Sequence, residues 1–186
     1  MRHIHERGYN NFNDVYAEHF HDINFHLMNA AHTTNITFVY EKYEGRMTPE
    51  QIMYGFKKIA ENNLERDEGL WKTIIPVVKK QMASLDRTTV RSLMMAIRGA
   101  ASMRLQDNEL WEIVEQKLVD EGLHRYLSLE ETADLVFYLS KVGRGSDDMI
   151  ELIEKTMIKH RKGLTPGTIS VAKEGFAKIN KGSEIL

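Results

Sequence analysis

The chain contains no cysteine, so disulfide staples, thiolate metal sites and thiol nucleophiles are excluded together. Proline is nearly absent, with three residues in 186, and without that interrupter helices can run long. No apolar run approaches the roughly 20 residues that a membrane-spanning helix needs, so no transmembrane segment is expected. The first residues lack the hydrophobic region of a secretory signal, and Arg2 and Arg7 fit a mitochondrial presequence only weakly. Neither sign of charge dominates. The net value of −2 argues against a surface given over wholly to nucleic acid.

What is present suits a folded domain: 42% hydrophobic and 28% charged residues, in a chain long enough to bury a core. From Thr88, apolar residues fall at Val90, Leu93, Met94, Ile97, Ala100 and Ala101, the i, i+3, i+4, i+7 spacing of one helical face. Leu110, Trp111, Ile113, Val114 and Leu118 make a second stripe behind Asp107. The pattern returns at Ala133, Val136, Phe137 and Leu139, then at Ile150, Leu152 and Ile153.

Start signals are strong from Thr48 onward. Thr48-Pro49-Glu50-Gln51 combines an N-cap threonine, proline at the first helical position and Gln at the third, a capping box. Ser128-Leu129-Glu130-Glu131 is a second box, and Thr165-Pro166 repeats the Thr-Pro start. Asp67, Asp86, Asp107 and Asp147 read as further caps, and Pro76 inside the 71–82 stripe should bend that helix or loosen its first turns.

The caps Asp67, Asp107 and Asp147 are spaced by 40 residues, as are Trp71 and Trp111, while Met53, Leu93, Ala133 and Ala172 are spaced by 40, 40 and 39. A helix pair recurring at that period predicts an all-α fold, an α-solenoid of helical-hairpin repeats in which neighbours stack to bury each other's apolar faces. The expected units are 48–85, 86–126 and 127–163, with a terminal helix over 164–186. Residues 1–46 are expected to form an extended arm to about Phe12 and capping helices near 13–31 and 35–44. The run Ile36-Thr37-Phe38-Val39-Tyr40 is ambiguous between strand and buried helix by periodicity, and its helical context favours helix.

Glu131-Thr-Ala-Asp-Leu-Val-Phe-Tyr-Leu-Ser-Lys-Val-Gly143 followed by Met149-Ile-Glu-Leu-Ile-Glu-Lys155 resembles the helical-hairpin repeats of FAST-kinase-like and octotricopeptide proteins. Arg91 to Ile97 with Glu109 to Glu115 fits the same template less closely, so the resemblance covers about 86–163. It implies an organellar, chiefly mitochondrial, location and either RNA processing, ribosome association or an accessory role in an enlarged mitochondrial complex. Two departures shift the expectation toward a repurposed scaffold. The RAP-type domain of many such proteins is not expected after Leu186. The Leu-Trp core of the first helix is replaced by Leu93-Met94 and Val136-Phe137.

Candidate chemistry is sparse. His3-x-His5 and His19-x-His21, with His26 and Glu18, offer zinc-ligand types, but i, i+2 spacing throws the rings to opposite sides of a strand or about 200° apart on a helix. Gly143-Arg144-Gly145-Ser146 lacks the Lys-Ser/Thr of a phosphate loop and reads as an inter-helix turn. Glu112 with Glu115 and Glu130 with Glu131 read as solvated faces and a helix start. No catalytic residues, metal or cofactor follow, and the expectation is a protein without enzymatic activity.

The strongest lead is the basic tail. From Lys155 to Lys181 the cations Lys155, Lys159, Arg161, Lys162, Lys173, Lys178 and Lys181 face one anion, Glu174, a net of +6. Lys155, Lys159 and Lys162 are spaced for one helix face and could meet phosphates of RNA or an anionic headgroup. The aromatics Tyr9, Phe12, Tyr16, Phe20 and Phe25 are expected to contact a protein partner. The leading expectation is a scaffold subunit of a respiratory-chain or ATP synthase type assembly, peripheral to its membrane. The alternative is an RNA-binding protein of the mitochondrial ribosome or transcript processing, and failing a mitochondrial site a cytoplasmic one.

Overall fold

A computed structural model describes residues 23–30, 33–61 and 68–179. Among them there are nine α-helices and no strand: α1 Ile23–Asn29, α2 Thr33–Tyr43, α3 Pro49–Glu61, α4 Glu68–Ala83, α5 Val90–Ser102, α6 Asn108–Glu115, α7 Leu129–Val142, α8 Asp147–Lys159 and α9 Pro166–Lys178. The ambiguous β-branched run is therefore helical, with Ile36, Val39 and Tyr40 buried. None of the described helices is long and apolar enough to cross a membrane.

The odd-numbered helices pack in one row and the even-numbered helices in a second row behind it. Thus α1 touches α3, α3 touches α5, α5 touches α7 and α7 touches α9, while α2 meets α4 and α4 meets α6. The π-helical turn Gln116–Asp120 that continues α6 then meets α8. One buried cluster runs from Ile23 to Phe176 through both rows. The odd helices from α3 onward start at Pro49, Val90, Leu129 and Pro166, 41, 39 and 37 residues apart, so the spacing shortens along the chain.

The rows close most tightly where a glycine faces a neighbour. A Cβ on Gly175 would lie 2.8 Å from the backbone nitrogen of Phe137 and 3.0 Å from its Cα, so only glycine lets α9 settle directly on the α7 backbone. Gly99 does the same for α5 against the Phe56 ring and Lys57 backbone of α3. The α1–α2 pair is fastened to α3 by Tyr40, whose buried hydroxyl donates to the Ile52 carbonyl. Desolvation holds that phenol far above its ordinary range.

The helix starts follow side-chain chemistry. Thr48 and Gln51 form the reciprocal box, with Thr48 N–H donating to Gln51 Oε1 at 2.9 Å and Gln51 N–H to Thr48 Oγ1 at 3.3 Å. Ser128 and Glu131 form the second box, and Thr165 Oγ1 accepts from Thr168 N–H. Asp107 caps α6 through Leu110 N–H. Asp67 lies outside the described residues.

Two expected caps are corrected. Ser146, not Asp147, is the N-cap of α8: its backbone is extended and its Oγ accepts from Met149 N–H, leaving Asp147 in the first turn beside the positive helix end. Asp86 does not cap α5, which begins at Val90 behind Thr89. Instead its carboxylate accepts from Thr88 N–H at 2.8 Å and Thr88 Oγ1 at 2.6 Å, closing a local turn. Pro76 lies inside the uninterrupted span of α4.

Candidate functional site

Ion pairs and hydrogen bonds between successive helix pairs fix the surface on which any site must sit. Lys79 of α4 reaches forward to Asp107 at 3.3 Å and to Glu109, so the Asp107 cap is also the far end of an inter-pair tie. These acids raise the Lys79 ammonium, first through the Glu109 hydrogen bond. Lys117 reaches back: it is buried, donates to the Leu85 carbonyl at 2.9 Å and pairs with Glu121 at 2.9 Å. The π turn, with Glu121 N–H bonded to Gln116 O, is the local device that carries Lys117. Arg144 donates to Gln106 at 3.1 Å and Asn108 at 2.7 Å, binding the 143–146 turn to the preceding one. Gly143, with φ 67°, ends α7 in the left-handed conformation, so the glycine-rich segment is an inter-helix turn.

The outer face of the odd row carries a mixed polar and aromatic band. Arg98 of α5 pairs with Glu61 of α3 at 2.6 Å. Its charge also acts on Asp134 and Tyr138 of α7, both of which are raised above their ordinary values mainly by desolvation. The half-buried Phe137 ring is flanked by Lys141 at 4.6 Å and by Lys178 of α9 at 5.0 Å. The band therefore crosses four helices. Its residues were not expected from motifs, yet three of them, Arg98, Tyr138 and Lys178, stand at intervals of 40.

The basic tail is divided differently from its sequence spacing. The α-helix ends at Lys159, and Arg161 and Lys162 belong to a separate 3₁₀ turn, Arg161–Gly163, so Lys155, Lys159 and Lys162 do not share one helical face. This corrects the expected stripe. Lys155 pairs with Glu151 and Lys178 with Glu174 at 2.7 Å, whereas Lys159, Arg161, Lys162 and Lys173 are exposed. Lys181 lies outside the described residues.

Lys159 instead joins residues more than thirty positions upstream. A groove of about 600 Å³ lies between the Leu123–Tyr126 3₁₀ turn, the start of α7 and the end of α8. His124, Arg125, Ser128, Thr156, Lys159 and His160 line it, with no carboxylate among its lining residues. His124 Nδ1 is held at 2.6 Å from the Leu118 carbonyl, which fixes that nitrogen as the donor and leaves Nε2 unsaturated in the neutral ring. Tyr126, the next residue but one, is half exposed. The chain separation of His124 and Arg125 from Lys159 explains why spacing did not join them.

Of the aromatics expected at a partner contact, Tyr9, Phe12, Tyr16 and Phe20 lie outside the described residues. Phe25 sits edge-on to His26, at 6.2 Å between ring centres, on the half-buried side of α1. His26 is buried and stacks on Tyr43 at 5.8 Å, as part of the core. His3, His5, Glu18, His19, His21 and His32 lie outside the described residues, and within them no three His, Asp or Glu side chains are grouped to hold a metal. No protein-family model matches this chain, and no curated protein matches it.

Proposed function

We propose that the chain is a non-catalytic α-solenoid scaffold, its helix pairs repeating at about 40 residues, and that it docks into a large protein assembly. The observation that carries this reading is the band across the odd row, which runs from Glu61 and Arg98 through Asp134 and Tyr138 to Phe137 and Lys178. Interleaved charges of both signs around half-buried aromatic rings suit a protein partner, because desolvated aromatics anchor interfaces and opposed charges set register. The two-row packing supports the repeat reading, since the odd helices from α3 onward pack on one another in succession as stacked pairs would. A mitochondrial complex of respiratory or ATP synthase type is proposed on the family resemblance of residues 86–163.

Native electrophoresis of tagged full-length chain from its own cells, followed by mass spectrometry, tests this. The scaffold reading expects co-migration with a large complex that survives RNase and is weakened by Phe137→Glu. Loss of the large species on RNase treatment overturns it in favour of RNA binding through the basic residues.

A further inference from the structure

We propose that the groove between the Leu123–Tyr126 turn and the end of α8 is a binding site for a phosphate group. Arg125 and Lys159 both line it, both are exposed, and neither is in an ion pair with a described residue. Two positive charges match the roughly twofold negative charge of a phosphate monoester near neutral pH. The guanidinium supplies a planar pair of donors, the ammonium a point charge, and each makes a charge-assisted hydrogen bond to phosphate oxygen. His124 and His160 also line the groove, and the Ser128 hydroxyl, which accepts from Glu131 N–H, keeps its own proton to donate.

Three features separate this groove from the basic surface around it. It is concave, at about 600 Å³ large enough for a phosphate with an attached sugar or base. Its cations come from two elements more than thirty residues apart, so the arrangement is not a by-product of one lysine-rich helix end. The ring of His124 is oriented by its Leu118 bond, so the group nearest the turn is preorganised. Of the other tail cations, Lys155 is neutralised locally by Glu151 and Lys178 by Glu174.

The probe is inorganic phosphate, followed by 31P line broadening on the full chain at low salt. A short oligoribonucleotide with either a 5′-phosphate or a 5′-hydroxyl end distinguishes the sources. Saturable phosphate binding is expected, weakened at least about tenfold in the double variant Arg125→Gln/Lys159→Gln. The exposed-site control Lys162→Gln/Lys173→Gln should change it less than about twofold. Preference for the 5′-phosphorylated end assigns the site to monoesters, and equal binding of both ends with displacement by phosphate assigns it to the diester backbone. Both results support the site. No saturable binding, binding retained in the groove variant with unchanged circular dichroism, or equal loss in the control overturns it.

Discussion

Replacing Lys117 by methionine keeps a flexible chain of similar length in the core and removes only the ammonium. In the native protein that ammonium is buried and bonded to the Leu85 carbonyl and to Glu121, each at 2.9 Å. The variant leaves the buried carbonyl of Leu85 without this donor, which costs about 1–3 kcal/mol. Glu121, 38% exposed at its side chain, is rehydrated at little cost. Relief from burying a charge offsets part of the loss. The net destabilisation should be about 1–2 kcal/mol, a fall in Tm of about 2–8 °C for a chain of this size. Thermal unfolding followed by circular dichroism measures it. The control is Lys57→Met: its pair with Glu61 is 3.8 Å long on the surface, and such pairs contribute about 0.3–0.5 kcal/mol. If Lys117→Met matches the control or raises Tm, the tie between the π turn and the Leu85 carbonyl behind α4 does not stabilise the fold.

Gly175→Val should be destabilising by about 1–3 kcal/mol or more, because even its Cβ would meet the Phe137 backbone at 2.8 Å; urea unfolding reads the shift, and an unchanged midpoint refutes the close α7–α9 contact. Asp134 is held above its ordinary value mainly by desolvation, so its contribution is fully present below about pH 3.8 and declines as pH rises through the raised value. Asp134→Asn should therefore raise Tm at pH 7 and lose that advantage in acid, and a lower Tm at pH 7 would contradict this. Asp86 is displaced the other way, chiefly by the Thr88 hydroxyl, so its contribution is present above about pH 3.8 and fades as pH falls through the depressed value. A carboxyl NMR titration of Asp86 should find its midpoint below that of an unstructured aspartate.

The parts of this fold that sequence shows are those decided within one turn of helix. The Thr48–Gln51 and Ser128–Glu131 boxes involve four consecutive residues each, so the side chains that satisfy the first N–H groups can be named directly. Ser146 and Asp147 mark the edge of that legibility. Either residue type caps a helix, and backbone geometry chooses between neighbours. The helical face of Val90, Leu93 and Ile97 was readable because burial repeats with the helix period. The groove was not, because Lys159 and Arg125 meet only through the packing of α8 near the Leu123–Tyr126 turn. The π turn that carries Lys117 has no composition of its own, and Gln116 to Asp120 reads as ordinary helix. The surface band lay between these cases, since three of its members, Arg98, Tyr138 and Lys178, recur at intervals of 40 in the sequence while the rest do not.

The ties at Lys79 and Lys117 run in opposite directions across the same junction, Ser84 to Thr89. Cutting the chain behind Leu85 would give two pieces, each displaying a lysine made for an acceptor on the other, with Gly99 and Phe56 supplying a matched bump and hollow. Such halves suit fragment complementation: produced separately and mixed, they should find one register and restore the native contacts.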